Sequence, residues 1–112
     1  MQFEVKIMPS YQKLVRDRIP EIIEAAGKKP VTHILAMDEY LSELDRKLNE
    51  ECVEYQESKS LEELADMLEV MYAIVEARGY SVAELEAIRK KKAAERGGFR
   101  DRVYLDGVEN QT

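Results

Sequence analysis

Two Ser-x-x-Glu boxes fix where helices can begin in the second half of this chain. Ser60 stands three residues before Glu63, and Ser81 three before Glu84. In such a box the hydroxyl accepts a hydrogen bond from the backbone N–H of the Glu, whose side chain reaches back to the backbone of the Ser. The boxes predict helices near 61–78 and 82–96, with Gly79 ending the first and Gly97-Gly98 the second. Upstream, Asp38 reads as the N-cap of a long helix over about 38–57, and Ser58-Lys59-Ser60 breaks it. Leu41, Leu44, Leu48, Cys52 and Tyr55 fall on one stripe of that helix at helical spacing. On the next helix the apolar set is Leu61, Leu64, Ala65, Leu68, Met71, Tyr72 and Val75. A shorter helix opens at Pro20, whose fixed φ suits a first turn, and stops at Gly27.

Three stretches alternate enough to predict short strands: 3–7, 31–36 and 102–108. Only five Gly and three Pro occur among 112 residues, too few for the turns of an all-β sandwich. There is no internal repeat, low-complexity tract or linker. The expected fold is a single all-α domain over 1–112. It is an antiparallel helical bundle of about four helices with minor short β-strands.

The net charge of −6 makes the chain a poor binder of duplex nucleic acid. A lone cysteine, Cys52, excludes an internal disulfide, and no Cys/His cluster suggests zinc. Cys52 sits on an apolar stripe and His33 in an alternating segment, so both read as structural. The N-terminus lacks the apolar run of a signal peptide. No apolar stretch approaches the roughly 20 residues of a membrane span. The expectation is a soluble cytoplasmic protein without a membrane partner.

The informative residues are acids standing where apolar residues belong. Leu44, Leu48, Glu51 and Tyr55 advance by four, three and four, which puts Glu51 in a core row. Glu54 lies three residues beyond Glu51, and Glu50 four before Glu54. On the following helix Glu63, Asp66 and Val70 share a face, with Met67 and Ile74 beside them. Helices joined by a short loop run antiparallel, so the two acidic pairs should meet. Carboxylates brought together in a partly buried cleft repel one another and lose hydration. A hard divalent cation resolves that conflict, and Mg²⁺ takes few carboxylates together with water and phosphate oxygens. The plainer reading stays open: Glu63 as a capping residue, Glu54 solvated, Glu50 paired with Arg46 or Lys47.

Glu50-Glu51-x-x-Glu54 followed by Glu63-x-x-Asp66 resembles the EExxE…ExxD signature of MazG-like all-α NTP pyrophosphatases. The stretch from Tyr11 to Ile23 is similar to the KLVRDRIPEII opening of its phosphoribosyl-ATP pyrophosphohydrolase-like, or house-cleaning, branch. The stretch from Lys92 to Phe99 is similar to that branch's K…RGGF ending. The resemblance spans about residues 11–106. It implies a Mg²⁺-dependent hydrolase, with Mn²⁺ a possible substitute, that cuts a nucleoside triphosphate between the α and β phosphates. Glu51, Glu54, Glu63 and Asp66 would hold the metal. Glu50 would be a further ligand, or would orient or deprotonate the attacking water. Only eight residues, 55–62, separate Glu54 from Glu63, fewer than in typical MazG domains, which leaves base preference open.

Acids cannot hold a triphosphate, so cations must. The candidates are Lys13, Arg16 and Arg18 near the N-terminus and Lys92, Arg96 and Arg100 near the C-terminus. Arg suits bidentate phosphate contacts. Cations at 90–92 also favour a helix dipole without any ligand, and Asp17 could pair with Arg16 or Arg18. The long helices carry more apolar surface than one partner covers, so a homodimer or larger homo-oligomer is expected. Two other readings are a phosphoribosyl-ATP pyrophosphohydrolase of histidine biosynthesis and a non-enzymatic helical interaction module.

Overall fold

A computed structural model describes residues 12–111. It contains four helices: α1 (Ile19–Ala25), α2 (Met37–Ser58), α3 (Leu61–Ala77) and α4 (Val82–Arg96). All-α architecture is as the helical periodicity requires. The Ser60 hydroxyl accepts from the Glu63 N–H at 3.3 Å, and the Ser81 hydroxyl from the Glu84 N–H at 3.1 Å. Gly27, Gly79 and Gly97 follow helix ends at φ values of 82°, 90° and 81°, which a Cβ would strain. Asp38 is not the N-cap of α2. That position belongs to Ala36, whose N–H donates to the Glu39 carboxylate at 3.3 Å. Asp38 lies in the first turn instead, where its charge favours the dipole.

No strand forms among the described residues. Residues 31–36 and 102–108 lack the ladder expected of them, and 3–7 lies outside the described residues. A strand needs a partner for its backbone groups, and neither segment finds one here. Both lie largely exposed.

Two residues after α2, of which Lys59 takes the left-handed conformation at φ 57°, turn the chain into α3. The two helices lie antiparallel, with Arg78 beyond the end of α3 reaching Asp45 near the start of α2 at 3.5 Å. This hairpin holds the core. Leu44 and Val70 are its buried apolar residues, and Leu41, Leu48, Cys52 and Tyr55 are half-buried beside them. Leu44→Ala should cost about 2–5 kcal/mol, the range for emptying a buried leucine site. Urea unfolding checks this, and a loss below 1 kcal/mol would displace Leu44 from the core.

α3 turns toward α2 the face on which the acids were expected to meet. Glu63, Asp66, Met67, Val70 and Ile74 face α2, whereas Leu61, Leu64, Leu68 and Met71 are exposed. Tyr72 and Val75 are half-buried. The helix is apolar on two sides, and a helix of that kind needs two partners. α2 covers only the side that carries the acids.

Candidate metal centre

The turn of α3 brings the acids of the two helices together. Each of Glu51, Glu63 and Asp66 offers a carboxylate oxygen, and these oxygens lie within 4.8 Å of one another. Glu51 is 6% exposed and is the buried charged residue of the described chain. It stands one turn from Leu48 and two turns from Leu44 on the packed side of α2. Glu63 and Asp66 are half-buried on the facing turn of α3.

The cluster is short of partners. Oε2 of Glu51 and Oε2 of Glu63 are both inaccessible to water and accept no hydrogen bond. A buried acceptor left unpaired costs about 1–3 kcal/mol, more when charged. The other side of Glu51 is met by Lys47, whose Nζ lies 3.3 Å from Oε1. Burial, with repulsion from Glu54, still raises the Glu51 carboxyl above its usual range, and Lys47 offsets this only in part. Glu63 is pushed up to about 7. Loss of hydration is the largest cause, followed by Glu54, which accepts a hydrogen bond from the protonated form and repels the ionised one. Glu51 and Asp66 add to the same effect.

Glu54 is thus a close neighbour of Glu51 and Glu63. Three of the four metal-ligand candidates form the triad, with Glu54 adjoining it. Glu50 has a different setting, between Lys13 at 3.6 Å and Lys47 at 3.5 Å. The cations divide into three groups. Lys13 and Arg16 come to the acids, and Arg16 donates to Asp66 Oδ1 at 2.7 Å. Arg18 is turned away and pairs with Glu21 in its own helix at 2.9 Å. Its role at the site is not supported by this placement, and Asp17 pairs with neither arginine. Lys92, Arg96 and Arg100 lie at and beyond the far end of α4, which among the described helices meets α3 alone. Within one chain they do not approach the acids. Lys47 is the residue that sequence reasoning undervalued. Its i,i+4 spacing to Glu51 was the available signal.

The donor set fits a hard divalent ion. An octahedral Mg²⁺ has bonds of about 2.1 Å, which place its ligand oxygens about 3–4 Å apart. Side-chain rotations close the gap from the observed spacing. Both orphaned oxygens would gain the partner they lack. Carboxylates without thiolate or imidazole suit hard ions such as Mg²⁺ or Mn²⁺.

No family model matches the chain, and no solved structure matches it. An uncharacterized protein of Mycolicibacterium smegmatis is 57% identical over 42 residues, which cover 38% of this chain and 43% of that protein. The chain therefore spans less than half the length of this relative, and the likeness carries no activity with it.

Proposed function

We propose that the chain is a Mg²⁺-dependent nucleoside triphosphate pyrophosphohydrolase of the MazG-like kind, acting on modified or otherwise non-standard nucleotides. The observation that carries this reading is the buried, unpartnered oxygen on each of Glu51 and Glu63, two acids that cluster with Asp66 across two helices. An acidic surface serving only solubility has no use for a 6%-exposed glutamate in a core row. Glu51, Glu63 and Asp66 would hold the ion, with Glu54 beside them.

When bound, the ion would neutralise phosphate oxygens and make a bound water more acidic. The remaining work is positioning and charge, the main needs of phosphoryl transfer. Arg16 stands at the edge of the triad with a planar donor fork suited to phosphate. Lys13 and Lys47 hold Glu50 by ion pairs, which suits the orienting role among those open to it. Lys47 also steadies the Glu51 carboxylate, so Oε2 stays directed away from the ammonium.

The test is hydrolysis of a panel of standard and modified NTPs and dNTPs in ¹⁸O-labelled water with Mg²⁺ or Mn²⁺. Attack at the α phosphorus places the label in the nucleoside monophosphate and none in pyrophosphate. Diphosphate with inorganic phosphate, or label in pyrophosphate, would refute this bond assignment. Turnover of phosphoribosyl-ATP alone would assign the site to histidine biosynthesis. No turnover on any substrate would leave the helical interaction module.

A further inference from the structure

Every residue from Ala87 to Gln111 is exposed. That stretch includes the last turns of α4 and an arm beyond it that is far from polar. Phe99 is 97% exposed, Tyr104 86% and Leu105 75%. α4 meets α3 only near their connection, where Val75, Tyr80, Leu85 and Ile88 line an open apolar cleft. Its fifteen residues then carry the arm about 22 Å along the helix axis.

A second unpartnered surface lies on α3. Leu61, Leu64, Leu68 and Met71 form a stripe on the side away from α2, with exposures of 36–80%. At 100° per residue, Glu62, Glu69 and Glu76 border it, and all three are exposed. The two surfaces complement each other in charge as well as in polarity. Residues 37–77 carry thirteen acids against three Lys or Arg, whereas residues 89–102 carry seven Lys or Arg against two acids.

The area is also large enough. The accessible surface is 10368 Å² for a 13.0 kDa chain. A compact monomer of that mass exposes about 6,300 Å². The excess is about 4,000 Å², twice the roughly 2,000 Å² that the twelve residues outside the description would expose even fully unfolded. An obligate dimer buries about 2,000–5,000 Å² in total.

We infer that the C-terminal arm, Arg96 to Val108, docks on the outer face of α3 of a second copy, and that the two copies exchange arms. Phe99, Tyr104 and Leu105 cover the Leu64–Leu68 stripe, and Arg96, Arg100 and Arg102 meet its acidic border. The interface is isologous, so one exchange implies the other. It also brings to the α2–α3 hairpin the basic segment that a single chain holds away from it. This assembly does not depend on the proposed hydrolase activity, and its tests read association alone.

Light scattering on the full chain at micromolar concentration should give twice 13.0 kDa. F99D/Y104D and, separately, L64D/L68D should weaken association at least about thirtyfold, the loss of two kcal/mol at an interface anchor. Far-UV circular dichroism should stay unchanged in both. A mixed-chain experiment covers the case in which these variants fail to fold. In a Cys52→Ser background, one chain carries L68C and the other Y104C. Oxidation of the mixture should give a heterodimeric disulfide. A monomer at all concentrations would overturn the proposal, including one whose α3 stripe is covered by the chain's own N-terminal residues. So would a dimer unaffected by F99D/Y104D, or a doubly substituted L68C/Y104C chain that closes only on itself.

Discussion

Replacing Glu51 by Gln is expected to abolish the response to Mg²⁺ and to lower turnover at least about a hundredfold, beyond the range seen for residues that merely support a ligand. The amide keeps the shape of the side chain and removes the charge. Wild-type protein with Mg²⁺ at a thousand times its Kd should gain about 4 kcal/mol of stability by linkage, and the variant nothing. The metal-free variant should be the more stable of the two. Its amide no longer repels Glu54, and its N–H₂ group can donate to Glu54 or Glu63 where the wild-type carboxylate could only accept. Each kcal/mol gained corresponds to about 4–8 °C in Tm for a domain of this size. Lys47 loses one partner but keeps Glu50 at 3.5 Å, so no unpaired ammonium offsets the gain. Thermal unfolding with and without Mg²⁺ checks both halves. A variant that binds Mg²⁺ like the wild type would remove Glu51 from the site. One that is less stable without metal would contradict the account of buried repulsion.

The helices were legible because their ends carry local chemistry. Ser60 and Ser81 act on N–H groups three residues away, and Gly27, Gly79 and Gly97 mark helix ends by φ alone. Neither signal needs knowledge of the rest of the fold. Glu51 was legible for a related reason, since the 4-3-4 step from Leu44 places it among packed residues whatever lies opposite. The side of α3 that meets α2 was legible too, since Glu63, Asp66 and Val70 share a face and a short loop sets it against the acids of α2. Leu61, Leu64 and Leu68 make a second apolar stripe, and periodicity does not say what covers it. The strands at 31–36 and 102–108 failed similarly: alternation describes one strand, whereas a sheet requires two. The cations illustrate the limit most plainly. Arg16 and Arg18 are two residues apart and chemically identical, yet one reaches Asp66 and the other Glu21. That difference is set by where α1 begins relative to the hairpin.

Mg²⁺ affinity is expected to fall about tenfold per pH unit below pH 7, because a carboxylate must lose its proton before it can bind. Glu63 sets this window. Its carboxyl titrates at about 7 in the folded chain against an ordinary 4.5. Below pH 4.5 the group is protonated whether the chain is folded or not, and it costs nothing. Between 4.5 and 7 the unfolded chain has released the proton and the folded chain has kept it. The folded state then binds more protons, so the metal-free protein loses stability as pH rises through that window. Above 7 both states are ionised and the loss is complete. Glu51 is raised for the same reasons and steepens the trend. Metal reverses it, since an ion gains most where the bare carboxylates repel most. Calorimetry at pH 5, 6, 7 and 8 should show affinity levelling above 7 and about a hundredfold weaker at pH 5. Near pH 6, buffers of different ionisation enthalpy should report about one proton released per ion bound. Affinity unchanged from pH 5 to 8 would mean that Glu63 does not touch the ion. Glu63→Gln separates the two effects. Without metal its stability should no longer decline between pH 5 and 7 by the share that Glu63 contributes, leaving only the shallower slope due to Glu51.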